Sequence, residues 1–168
     1  MKTSLNSRPL LSQTLTNTTL WIGHLSSDTS DSNDHLGGQT FTSPSDGVLD
    51  NIQVFSQAVP QPGHLQMTLH QFDCGSLEWG PAIAKAEMNV EKNDESSWLQ
   101  FRLDPVELKK NSCYGFRLET QDALIGLGEA ASHAHRPFPF GLSWNSDGSN
   151  IKGAFYNFFS LAFKVEVA

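Results

Sequence analysis

No apolar run in this 168-residue chain approaches the roughly 20 residues that a helix needs to cross a bilayer. The N-terminus, Met1-Lys2-Thr3-Ser4-Leu5-Asn6, carries none of the apolar core of a signal peptide. The expectation is a protein without membrane insertion. It is extracellular or periplasmic if a signal peptide was removed before this numbering began, and cytoplasmic otherwise. Basic residues are scarce, 11 Lys and Arg against 18 Asp and Glu, giving a formal net charge of −7. Nucleic acid and anionic lipid surfaces both demand clustered cations, so this balance argues against either as a partner. No Gly-x-Ser-x-Gly elbow, Walker motif or dinucleotide glycine pattern occurs, and neither cysteine has a protease context. Gly126-Leu127-Gly128 lacks the third glycine and the following helix that a phosphate cradle needs. No catalytic residue is assigned. Glu78, Glu87 and Glu119 are carboxylates available for glycoside hydrolysis, but sequence does not give the separation on which that chemistry depends.

What the chain has is alternation. Leu65 to His70, Leu99 to Leu103, Tyr114 to Glu119 and Leu161 to Val167 each switch between apolar and polar residues with a period of two. Such a run buries one face and shows the other. Eleven Phe and four Trp supply core material, while charged residues make up only 17% and Ser, Thr, Asn, Gln and Gly fill the gap. This suits antiparallel sheets with one solvated face.

Further strands are read over 19–25, 39–42, 48–57 and 82–90, with turns at Ser43-Pro44-Ser45-Asp46-Gly47, Val59-Pro60-Gln61-Pro62-Gly63 and Lys92 to Ser97. Residues 26–38 read as a long loop, 105–111 as a turn or single helical coil, and 123–150 as irregular. A terminal strand falls near 155–167. Residues 1–18 read as a loosely attached lead-in or an edge strand. Short strands, regular turns and no long helix predict an all-β fold, a single antiparallel β-sandwich, jelly-roll-like, spanning 1–168 as one domain.

Gly38-Gln39-Thr40-Phe41-Thr42, Gly47-Val48-Leu49-Asp50-Asn51-Ile52-Gln53-Val54, Trp98-Leu99-Gln100-Phe101, the stretch Leu108 to Phe116 and the closing Leu161-Ala162-Phe163-Lys164-Val165 carry a resemblance. Over roughly residues 37–168 the chain resembles secreted bacterial β-sandwich accessory modules of carbohydrate-binding type. Those show Gln-x-Phe-Thr, Gly-x-Leu-x-x-Ile-x-Val, a Trp-initiated strand and Leu-x-x-Gly-x-x-Tyr-x-Phe. Asn111-Ser112 departs from the pattern where Gly is usual. The resemblance implies a jelly-roll-like fold and a non-catalytic role beside a carbohydrate-active or surface protein.

If strands 65–72, 99–103 and 114–119 share a sheet, their outer face presents His70, Gln100, Arg102, Arg117 and Glu119, with Gln66, Thr68 and marginal Trp98. Sugar recognition needs planar polar groups for paired hydroxyls and an aromatic face for the C–H side of the ring, and this set holds both. It is the candidate ligand-binding set; the plainer alternative is a solvated sheet face with Arg102 or Arg117 paired to Glu119. Asp28, Asp31 and Asp34 sit in a loop whose oxygens suit Ca²⁺, although the spacing is not that of an EF-hand and a solvated turn is the alternative. His133 and His135, two apart on a strand, would project to one side like cupin metal ligands. No Glu follows them, however, and Pro137 and Pro139 oppose strand geometry. A further His24, His35, His64 or His70 would have to complete that site.

Cys74 ends one alternating run and Cys113 opens another. Antiparallel pairing of those runs would bring the two within disulfide reach, and a bridge would mean an oxidising compartment; two unpaired small core residues are the alternative. Finally, Phe138, Phe140, Trp144, Phe155, Tyr156, Phe158 and Phe159 form an aromatic-rich tail region that belongs mostly to the core. Phe155 to Phe159 offers more apolar bulk than one inward face absorbs, so some of that run is expected at a pocket or a homo-oligomer contact. Three functions follow in order: a carbohydrate-binding module, with a glycan or surface protein as partner; a structural or adhesive assembly subunit; and a cupin-like metal-dependent enzyme.

Overall fold

The computed structural model describes residues 7–24, 34–147 and 150–168. Its strands are β1 (Arg8–Gln13), β2 (Thr18–His24), β3 (Asp34–Thr42), β4 (Gly47–Gln61), β5 (Gly63–Asp73), β6 (Glu78–Val90) and β7 (Ser97–Arg102). Then come β8 (Glu107–Leu108), β9 (Cys113–Glu119), β10 (Leu124–Ala131), β11 (Ser143–Asp147), β12 (Asn150–Tyr156), β13 (Phe159–Leu161) and β14 (Phe163–Val167). All pairings are antiparallel, and the strands form one sheet curled into a half-barrel. The order is β1-β14-β4-β10-β2-β3-β9-β5-β6, with β7 and β8 on β4, β13 on β10, and β11 bridging β3 to β12.

The alternating runs place their apolar residues inside. Leu65, Met67 and Leu69 of β5, Leu99 and Phe101 of β7, Phe116 and Leu118 of β9, and Phe163, Val165 and Val167 of β14 are all buried. The curl brings β14 against β3 and β9. Phe163 lies 6.3 Å from Phe41, 5.7 Å from Phe116 and 5.1 Å from Phe138, measured between ring centroids. Fully buried rings in such a cluster are each worth roughly 3–5 kcal/mol against truncation to Ala.

Two buried glutamines hold the short strand β13. The Gln39 Oε1 accepts from the Leu161 N–H at 3.0 Å and from the Ser160 hydroxyl at 3.4 Å. From the other side, Gln13 Nε2 donates to the Leu161 and Ser160 carbonyls at 3.2 and 3.4 Å. Burying an amide without partners costs several kcal/mol, so these bonds fix which chain segments can meet here.

The structure departs from the sequence expectation in five places, one of them Glu107–Leu108, which pair with β4 as β8 in place of the expected turn or helical coil. Residues 34–38 belong to β3 rather than to a loop. β4 continues through Pro60, because that proline sits at a bulge between the pairs Ala58↔Gly126 and Gln61↔Leu124, where the ladder needs no donor. Residues 124–131 and 143–147 are strands. β10 looked irregular because of Gly126 and Gly128, yet these make room for neighbouring side chains: a Cβ on Gly126 would stand 3.0 Å from the Trp21 ring. Lastly, the terminal strand is three: β12, β13 and β14. The lead-in contains β1, an edge strand paired with β14.

Glu129 of β10 shares its parity with the core residues Ile125 and Leu127 and is 4% exposed. Burial pushes its carboxyl up to about 7. An unfolded Glu releases its proton near pH 4.5, so fold stability is fully present below that value and declines as pH rises to about 7, by at most roughly 3 kcal/mol. Glu129→Gln is therefore expected to melt higher than the parent at pH 8 and to match it near pH 4; thermal unfolding at the two pH values checks this.

Candidate functional site

The outer face of the β11-β3-β9-β5 sheet carries a row of cross-strand neighbours. Trp144 of β11 lies opposite Gly38, Gly38 opposite Arg117, and Arg117 opposite Thr68; on the far side Trp144 faces Phe155 of β12. Gly38 leaves its place in the row empty, and the Trp144 ring crosses it toward Arg117: a Cβ there would be 3.3 Å from Cε3 of that ring. Gly153, at φ +73°, similarly clears Trp144, whose Nε1 donates to the Lys152 carbonyl at 3.1 Å.

Trp79 completes the cluster from β6. The β5–β6 register slips between Leu69 and His70 and again between His70 and Phe72, which brings Trp79 opposite Phe72. Pro81 is tolerated beside these irregularities because the ladder is already broken there. The Trp79 ring covers Gly115 of β9, where a Cβ would lie 2.7 Å from Cζ3. It meets Trp144 at 5.2 Å and 72°, Phe72 at 5.2 Å, His70 at 5.3 Å and Phe155 at 6.3 Å.

Arg117 stands in the corner between the two indoles, its Cζ 4.2 Å from the Trp79 centroid and 4.9 Å from that of Trp144. Such contacts favour a cation over the ring faces. Burial lowers its pKa from the ordinary arginine value, though it stays cationic. Burial also holds His70 below its ordinary value, with the Arg117 charge pushing the same way. Both His70 ring nitrogens are engaged, Nδ1 with the Gly80 carbonyl at 3.0 Å and Nε2 with the Thr68 hydroxyl at 2.9 Å. Among the described residues, the Nε of Arg117 and the Nε1 of Trp79 are buried with no hydrogen-bond partner.

Above this cluster opens a cleft of about 780 Å³ whose walls include Trp79, Arg117 and Phe155, with Leu77, Glu78 and Lys152 also lining it. Leu77 is 41% exposed and holds φ 56°, a left-handed conformation that a leucine rarely adopts. Behind it, Cys74 and Cys113 form a disulfide with Cα atoms 6.2 Å apart, which ties the β5–β6 turn to the start of β9. A smaller cleft of about 530 Å³ lies over the bridge and shares Trp79 and Glu78 with the first.

The structure divides the candidate ligand set read from the sequence. β5 and β9 are neighbours, so His70, Arg117 and Glu119 do share a face, with Gln66 and Thr68. β7 pairs with β4 instead, which carries Trp98, Gln100 and Arg102 to a separate face. There Arg102 lies 3.6 Å from Asp50, and Trp98 has Lys164 Nζ 4.2 Å over its ring and Phe55 at its edge. Glu119 lines a third cleft with His64, Gln66 and Glu87. Period-two alternation reports which face a residue occupies, not which strand lies beside it.

His133 and His135 lie on a bend between β10 and β11, so their spacing does not set them on one strand face; His133 stacks on Phe158 at 6.0 Å. Asp28 and Asp31 fall outside the described residues, and of Asp34 only the backbone at the start of β3 is described. Among the described residues no three His, Cys, Asp or Glu side chains gather as a metal site. Trp144 and Phe155 came from the aromatic tail, whereas Trp79 and Lys152 were missed. The one signal for Trp79 was Gly115, a bare position in an alternating run that another element had to cover.

A scan against protein-family models finds no match, nor does a search of curated proteins.

Two outcomes follow from this geometry. Perpendicular indoles this close couple their transitions, so Gly115→Val, which drives a methyl into the Trp79 ring, is expected to collapse the tryptophan signal in near-UV circular dichroism while the far-UV spectrum persists. The bridge closes a separation of 39 residues, and loop entropy puts its loss at about 4 kcal/mol. The variant with both Cys74→Ser and Cys113→Ser should unfold at correspondingly lower urea concentration.

Proposed function

We propose that this protein is a non-catalytic binding module on a jelly-roll-like β-sandwich, and that carbohydrate is its ligand, held in the cleft over Trp79, Phe155 and Arg117. The observation carrying this reading is the half-buried Trp79 beside Arg117 in a cleft open enough for a sugar ring. An indole offers an apolar face to the C–H side of a pyranose, and a guanidinium offers planar donors to adjacent hydroxyls. The left-handed Leu77 at the rim supports it, since backbone strain persists where surrounding structure holds it and collects at binding sites. The Cys74–Cys113 bridge supports an oxidising, extracellular or periplasmic setting, in keeping with the secreted modules that the sequence resembles.

A second reading, a structural or adhesive subunit, draws on a different observation. Phe140 is 64% exposed and Phe158 37% exposed. Phe140 borders an apolar cleft of about 660 Å³ that also includes Leu10, Leu11 and Phe138. An assembly contact would use this aromatic region and leave the Trp79 cleft open.

Calorimetry against a panel of neutral and acidic oligosaccharides separates these. Trp79→Ala is expected to weaken binding at least tenfold, and Trp98→Ala, on the β7 face, to leave it unchanged. Loss on Trp98→Ala alone would move the site to β7. A defined oligomer by light scattering with no glycan response would favour the second reading.

A further inference from the structure

We propose that the Trp79 cleft recognises a sugar carrying a fixed negative charge, a carboxylate or a sulfate ester, and that Arg117 is the residue that receives it. This deepens the carbohydrate reading and rests on it. The argument begins with the state of Arg117. A guanidinium drawn partly out of water is ordinarily paired with a carboxylate or given acceptors for its shielded donors, because losing hydration without them is costly. Here its contacts are two indole rings. Those faces stabilise the charge but accept none of its five N–H donors. Among the described residues it has no ion pair and no hydrogen bond, and its Nε is buried and unpartnered. The nearest acidic influence on it is Glu119, two positions along β9, and Glu119 lines a different cleft.

The other groups point the same way. Trp79 Nε1, beside Arg117, is a second buried donor without an acceptor. Lys152 adds a cation to the wall of the cleft, against one carboxylate, Glu78. In a chain of net charge −7, this is a site with surplus donors and surplus positive charge. A neutral sugar would supply hydroxyls, which both donate and accept. An oxyanion supplies acceptors only, in the planar or tetrahedral array that a guanidinium fork meets bidentately. The anion therefore balances what the protein leaves unbalanced.

The test uses four probes on the intact chain: tetragalacturonate, its fully methyl-esterified form, a sulfated heparin tetrasaccharide, and sodium sulfate alone. Binding is followed by calorimetry and by tryptophan fluorescence. One or both acidic oligosaccharides should bind roughly tenfold or more tighter than the uncharged ester, and their affinity should fall as salt rises from tens to hundreds of millimolar. Which acid binds tighter distinguishes carboxylate from sulfate. Arg117→Gln should abolish the preference, and Arg117→Lys should keep the salt dependence at weaker affinity. Should Arg117→Gln not fold, the ester comparison and the salt dependence of the parent decide alone. Equal affinity for ester and acid overturns the inference while leaving the carbohydrate reading in place. A response to sulfate that Arg117→Gln removes, with no oligosaccharide binding, keeps the anion site and overturns the carbohydrate reading. No response to any probe overturns both.

Discussion

Phe163 meets Phe41, Phe116 and Phe138, and this contact holds the curl of the sheet. Each of these rings comes from a different segment: β14, β3, β9 and the loop before β11. A long sheet twists of its own accord, and these rings fix the curl by giving β14 apolar contact with β3 and β9, strands set well apart from it in the sheet order. The polar bonds of Gln13 and Gln39 to β13 then act as a register check on the same closure. Any sliding of β13 would leave the buried Gln13 amide without these acceptors and the buried Gln39 carbonyl without its donors.

With the inner face settled, the outer face of the same strands is free for other uses. Gly38 and Gly115 are its two vacancies, on neighbouring strands, and each is filled by an indole from elsewhere in the chain. Absence of a side chain is what lets Trp144 and Trp79 lie flat enough to corner Arg117. The candidate site is thus a product of core geometry, since β3 and β9 must be adjacent for the vacancies to line up. The disulfide adds a local constraint where the β5–β6 turn would otherwise be held only by its hairpin.

The inner face was legible in advance because Leu65, Met67, Leu69, Phe116 and Leu118 alternate cleanly, and hydrophobic burial acts on that pattern alone. Strand adjacency was not legible. Nothing in Leu99 to Arg102 says that β7 pairs with β4, because pairing is decided by the summed packing of the whole sheet rather than by local pattern. The outer cluster was legible in pieces only. Arg117 and His70 follow from parity, and Trp144 and Phe155 belong to the aromatic tail. Trp79 depends on two register slips in β6, which one sequence does not announce.

The pairing pattern also dictates an order of events during synthesis. β5 and β6 form a hairpin from neighbouring residues and can assemble as soon as they are made. β4, by contrast, waits for β14 across more than a hundred residues, and β1 waits for the same strand. Until Phe163 has left the ribosome, Phe41 and Phe116 have no ring to close against, and the apolar face of the nascent sheet stands open to water. Such non-local closure is slow and leaves adhesive surface exposed while it lasts. Through the span from β4 to β14 the growing chain is therefore an unfinished sheet, and its adhesive face is most open to wrong partners in that interval.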